Sequence, residues 1–84
     1  MPYIKKVARQ GLNDIIQSFE GINILTPGEL NYLITKLTHH YLGDNPSYNR
    51  YNDVIGALEC AKMELYRRKV IPYEQKKIQE NGDV

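Results

Sequence analysis

Between Asp53 and Val70 the sequence reads DVIGALECAKMELYRRKV, and this stretch most narrows what the chain can fold into. Val54, Ile55, Leu58, Ala61 and Leu65 recur at steps of three and four, the spacing of one α-helical face. Tyr51 extends that stripe backwards and Lys69 forwards. The residues between are mostly Ala, Leu, Glu, Lys, Met and Arg, all good helix formers. The other segments read as elements to pack against this helix.

Taken in order, Met1 to Ile4 enters extended, because Pro2 restricts its neighbour. Lys5 to Glu20 is a first helical region with Val7, Leu12, Ile15, Ile16 and Phe19 as its apolar face. Gly11 weakens its middle by up to ~1 kcal/mol relative to Ala, so a break is expected there, with Asn13 starting a second piece and Gly21 ending it. Ile22 to Leu25 is read as coil packing on the core, since no second strand is available to pair with it.

Thr26-Pro27-Gly28-Glu29 is the clearest local signal. Thr at N-cap, Pro at N1 and Glu at N3 form a capping box, with the Thr hydroxyl accepting from the N3 amide and Glu29 reaching back to the Thr26 amide. Leu25 and Leu30 hold the positions of a hydrophobic staple. Leu30, Leu33, Ile34, Leu37 and Tyr41 then give a core stripe ending near Leu42-Gly43. The loop Gly43 to Tyr48 is short, so the next helix, capped by Asn49 or Asn52, should run antiparallel to this one. Gly56 would permit close approach of another backbone. Pro72 is expected to kink or end the third helix after Ile71 and to open a short last helix, Tyr73 to Glu80.

The expected fold is therefore all-α, one domain over residues 1–84. Thr26–Leu42 pairs with Asn49–Ile71 as an antiparallel hairpin, flanked by the N-terminal helical region and the short C-terminal helix. At 84 residues the chain buries only about 60–65% of its unfolded surface, so oligomerisation is a natural remedy and a homo-oligomer is expected.

Catalysis is not expected. His39 and His40 are adjacent and diverge on a helix, and no Cys or carboxylate stands at ligand spacing, so no metal site is read here. Cys60 lies close to the apolar stripe and reads as a packed thiol. Glu59 and Glu64 are poorly spaced for acid–base work. No Gly-rich phosphate loop, HExxH or GxSxG occurs, and no cofactor is implied. A lone cysteine fits a reducing compartment, and no run reaches the ~18 apolar residues of a membrane span. The reading is cytosolic.

Eleven basic against ten acidic residues give no global case for nucleic acid, but the distribution is uneven. From Thr26 to Glu59 there are two basic and four acidic residues, net −2; from Lys62 to Lys77 there are six basic and two acidic, net +4. Within the basic part, Tyr66, Arg67, Arg68, Lys69 and Tyr73 are the candidate ligand-binding residues, with Lys76 and Lys77 beyond them. If the helix continues through Pro72, Tyr66, Lys69, Tyr73, Lys76 and Lys77 share one face. Arg offers planar donors for phosphate or carboxylate and Tyr a stacking surface. Asn31, Tyr32 and Lys36 are candidates for a second wall. The bland reading is a solvated helix face whose charges hydrate or pair with Glu64 and Glu74.

Met1-Pro2-Tyr3-Ile4, Thr26 to Tyr32, Leu58 to Lys62, Tyr66-Arg67-Arg68, Pro72-Tyr73-Glu74 and Glu80 to Val84 together resemble a family of small proteins of unassigned function found in bacteriophages and bacterial genomes. The likeness spans nearly the whole chain and is weakest from Lys5 to Leu25. It brings no site residues with it. It implies a phage or prophage setting, in which small proteins often bind a host protein, bind nucleic acid, or sequester a signalling nucleotide used in host defence. The leading expectation is a non-enzymatic binding protein that captures an anionic, cyclic-type nucleotide. The alternatives are a helical DNA- or RNA-binding accessory using the same basic face, and a structural or docking module acting on a host protein.

Overall fold

The computed structural model describes residues 4–23 and 26–84. Helix α1 is Lys6–Gln10, α2 Asn13–Ser18, α3 Pro27–Leu42, α4 Tyr48–Leu65 and α5 Ile71–Asn81. A 3₁₀ turn, Phe19–Gly21, follows α2, and a π-helical turn, Tyr66–Val70, joins α4 to α5. No strand occurs among the described residues, and the fold is all-α. By its internal contacts the chain divides into two units, Met1–His40 and Tyr41–Val84.

In the first unit the helix breaks where expected. Gly11 and Leu12 stay near helical dihedrals, but the Leu12 amide bonds to the Arg9 carbonyl at 3.0 Å, a three-residue step that interrupts the α-helical ladder. Asn13 opens α2, and the 3₁₀ turn closes it at Gly21. The capping box forms with one change: the Thr26 hydroxyl accepts from the Glu29 amide at 3.1 Å and donates to Glu29 Oε1 at 3.0 Å. Glu29 thus reaches the cap's side chain. The staple partner Leu25, the rest of the Ile22–Leu25 connector beyond Asn23, and the extended start at Met1 to Tyr3 lie outside the described residues.

In the second unit, Gly43 follows the end of α3 with φ +72°, the left-handed position that a glycine takes without a Cβ penalty. The cap of α4 is Ser47, a correction to Asn49 or Asn52: its hydroxyl accepts from the Arg50 amide at 3.3 Å. Ser47 has the extended backbone that an N-cap needs, whereas Asn49 and Asn52 already lie inside the helix.

Pro72 neither ends nor restarts the helix; α4, the π turn and α5 form one run of 34 residues. A proline cannot donate to the carbonyl four residues back, and its ring collides with it. The wide turn answers this, the Ile71 amide bonding to the Tyr66 carbonyl five residues back. It also resets the side-chain register. Leu65 is followed along its face by Val70, and Tyr66 by Ile71, where a regular α-helix would have brought Lys69 and Val70. Val70 is half-buried and Lys69 exposed, so the stripe passes to Val70 and not to Lys69.

None of the described residues is buried, and the expected core stripes are largely open. Leu33 on α3 and Leu58 on α4 are each 39% exposed, and Leu37 and Ile55 about two-thirds. Gly56 stands in open space, with nothing within 4 Å of a Cβ built there, so no backbone among the described residues approaches it closely. The ion pairs along the long helix, Glu59–Lys62, Glu64 with Arg67 and Arg68, and Lys77–Glu80, are local ones worth about 0.2–0.5 kcal/mol each. They cannot substitute for a core, because most helix stability in proteins comes from packing an apolar face.

Candidate nucleotide-binding surface

The basic stretch begins with a carboxylate. Glu64 lies one turn before Arg67 and Arg68, at i+3 and i+4, so both guanidinium groups hang over the same side of the helix. Arg67 Nη2 donates to Glu64 Oε1 at 2.9 Å and to Oε2 at 3.1 Å, and its Nε lies 3.3 Å from Oε1. Arg68 Nε donates to Oε2 at 2.8 Å. Adjacent helical residues point apart, yet long side chains bring these two arginines onto one carboxylate. The Glu64 side chain is 21% exposed and those of the arginines about 60%, so the acid is the shielded partner.

Tyr73 and Lys77 form a second group, one turn apart on α5, with the ammonium 5.7 Å from the ring centre. A shallow hollow of about 360 Å³ lies beside them, lined also by Glu74, Ile78 and the Asn81–Val84 end. The wide turn separates Tyr66 from this group: Tyr66 aligns with Ile71, so it does not share the face of Tyr73, Lys76 and Lys77. That corrects the single-face expectation, which assumed unbroken α-helical register.

Asn31, Tyr32 and Lys36 belong to the first unit and the basic stretch to the second. The Asn31 Oδ1 accepts from the Thr35 hydroxyl at 3.1 Å, and the Lys36 ammonium stands 5.5 Å from the Tyr32 ring centre. The hollow of about 520 Å³ in this unit is lined by Tyr32, Leu33, Thr26 and Glu29 among others. Its one charged wall, Glu29, is acidic and unsuited to an anion. Neither of these two hollows is lined by Arg67, Arg68 or Lys69.

Among the described residues no cluster of His, Cys, Asp and Glu could hold a metal ion. Cys60 is a free, half-buried thiol. No helix of the described residues is long and apolar enough to cross a membrane.

The chain matches a family described as a domain of unknown function, DUF6899, over residues 1–84. It belongs to that family. No curated protein and no solved structure matches it.

Two residues of the DUF6899 chain carry more of this geometry than its sequence alone suggests. Glu64 organises the arginine pair, and its i+3 and i+4 spacing to Arg67 and Arg68 is the signal that could have found it. Arg50 reaches back over the loop to Tyr41, with its guanidinium carbon 4.4 Å from the ring centre. No local periodicity announces that contact, because the two residues lie on different helices.

Proposed function

We propose that this chain is a non-catalytic binding protein of phage or prophage setting, which counteracts host defence by capturing an anionic, cyclic-type nucleotide on the Tyr66–Lys77 stretch. The observation that carries this reading is the convergence of Arg67 and Arg68 on one carboxylate. Two guanidinium groups that enclose a carboxylate can enclose a phosphate, with the shorter, stronger bonds of charge-assisted pairing. Tyr73, with Lys77 at its ring, adds a stacking surface of the kind that bases use. Lys69 supplies further positive charge.

The test is a thermal-shift screen of the purified chain against mono-, di- and cyclic oligonucleotides at physiological salt. Ligand at a hundredfold excess over Kd stabilises the folded state by about 2.7 kcal/mol. A shift with one nucleotide that disappears in the Arg67→Ala/Arg68→Ala double variant supports the reading. No shift with any nucleotide overturns it. Binding to single-stranded DNA or RNA that falls steeply with salt would move the assignment to a nucleic-acid accessory.

The open apolar row on α3, with Leu37 67% exposed, favours a second reading, a helical module that docks on a host protein. Under it the arginine double variant leaves nucleotide binding undetectable in wild type and variant alike, while partner binding changes.

A further inference from the structure

We propose that Asn81 is a site of spontaneous deamidation, in which the Gly82 backbone nitrogen closes a succinimide ring on the Asn81 side chain whenever the last turn of α5 opens. This inference is independent of the nucleotide reading.

The first support is the neighbour. Asparagine is a chemically labile residue, and the side chain that follows it hinders ring closure. Glycine has none to interfere. Of the seven asparagines only Asn81 precedes a glycine. Asn45 precedes Pro46, whose nitrogen has no proton to give up. Asn31, Asn49 and Asn52 lie inside α3 and α4, each followed by a larger residue.

The second support is the place. Asn81 is the last residue of α5, and Gly82 has left the helix with φ +85° and ψ 157°. That backbone is essentially restricted to glycine. The requirement that ends the helix is thus the one that puts a glycine after this asparagine. Helix ends also fray, so this peptide unit opens more readily than those inside α3 and α4.

The third support is the latch that the structure shows. The Gly82 N–H donates to the Ile78 carbonyl at 2.8 Å. This bond keeps the nitrogen over the helix end and Asn81 in helical dihedrals. The five-membered ring needs Asn81 turned out of that range, so conversion follows the fraction of chains in which this bond is broken.

In the open form the Gly82 nitrogen gives up its proton and bonds to Asn81 Cγ. The side-chain nitrogen takes a proton and leaves as ammonia. Water then adds across one of the two imide bonds. Cleavage at Cγ gives aspartate, and cleavage at the backbone carbonyl gives isoaspartate. Either product lowers the net charge from +1 to 0 and sets a carboxylate at the negative end of the helix dipole. The hollow beside Tyr73 and Lys77, which Asn81 lines, gains an acidic wall.

The test incubates the full-length protein in mildly alkaline buffer made with heavy-oxygen water, folded and in denaturing urea. Digestion in ordinary water and mass-spectrometric peptide mapping follow. Asn81 should convert to aspartate and isoaspartate carrying one solvent oxygen, ahead of the other six asparagines. Conversion in urea should be about two- to tenfold faster, the ratio set by the net worth of one hydrogen bond. Gly82→Ala should slow conversion severalfold, although its strain at this φ loosens the cap. No conversion of Asn81 in the folded protein overturns the proposal, as does earlier conversion of another asparagine. Undiminished conversion in Gly82→Ala overturns the role given to the glycine, and equal rates with and without urea overturn the latch.

Discussion

Arg50 holds Tyr41 twice: its guanidinium stands 4.4 Å from the centre of the Tyr41 ring, and its Nη2 donates to the Tyr41 carbonyl at 2.8 Å. Tyr41 is in the last turn of α3, where carbonyls lack helical partners, and Arg50 is in the first turn of α4. One side chain therefore satisfies the end of one helix and fastens the start of the next across the Gly43–Ser47 loop. Arg50→Ala should cost about 1 kcal/mol, the sum of an exposed cation–π contact and a solvent-weakened charged hydrogen bond. Arg50→Lys should recover less than half, because an ammonium cannot lie flat on the ring while donating to the carbonyl. Thermal melts followed by circular dichroism check both. A melt of Arg50→Ala unchanged from wild type would show that the contact stabilises nothing.

Thr26→Ala should destabilise α3 by about 1 kcal/mol, because the Glu29 amide and carboxylate both lose their partner. Thr26→Ser keeps the hydroxyl and should stay within a few tenths of wild type. Urea titration measures the difference, and faster amide exchange at Glu29 locates it. Equal exchange in the two variants would show that the cap does not hold the helix start.

The distance over which a residue acts decides what is legible ahead of the structure. Thr26, Pro27 and Glu29 act within one turn, as do Gly11 and Gly43, and the elements they bound lie where their chemistry puts them. Ser47 competes with Asn49 and Asn52 because Ser and Asn both cap well, and the choice rests on which has extended backbone. The wide turn at Tyr66–Val70 escapes a periodicity reading because templates of steps three and four have no place for five. The pairs Leu65–Val70 and Tyr66–Ile71, just ahead of Pro72, are nevertheless present as a signal. At the candidate site, the arginines are legible as charge. Their meeting on Glu64 needs side-chain geometry, since consecutive residues start out on different faces. The open faces of α3 and α4 are not legible at all, because periodicity tells which residues share a face and not what covers it.

Pro72→Ala should return a backbone donor to the middle of the long helix. A proline inside a regular helix costs about 3 kcal/mol relative to Ala; with the wide turn already relieving the ring clash, the gain should be about 1–2 kcal/mol. For a domain of this size each kcal/mol corresponds to roughly 4–8 °C in melting temperature. Hydrogen exchange should show a newly protected amide at position 72. Protection there without any rise in melting temperature would mean that the Leu65–Val70 register, and not the proline, sets the turn.

Gly56 is an unforced glycine inside α4. It has helical surroundings and, among the described residues, no neighbour within 4 Å of the place a methyl group would take. It lies on the side of the helix away from Val54 and Leu58. Gly56→Ala should raise stability by about 0.5–1 kcal/mol through lower unfolded-state entropy alone. It should leave the oligomeric state unchanged. A fall in stability in a chemical denaturation curve would reveal a close partner on that face.

Glu64→Gln separates stability from binding at the arginine pair. Helical ion pairs at i+3 and i+4 contribute a few tenths of a kcal/mol each, so the loss of charge should cost less than about 1 kcal/mol in stability. The effect on an anionic ligand runs the other way. In the wild type a phosphate must compete with the Glu64 carboxylate for Arg67 and Arg68 and approach against its negative charge. The amide removes that repulsion and binds the guanidinium groups less strongly, so affinity for the nucleotide found in the thermal-shift screen should rise about tenfold, as isothermal titration would read it. The gain should shrink at high salt, because screening weakens the wild-type repulsion first. Unchanged affinity in Glu64→Gln would place the ligand elsewhere on the helix, with the Tyr73–Lys77 group as the remaining candidate.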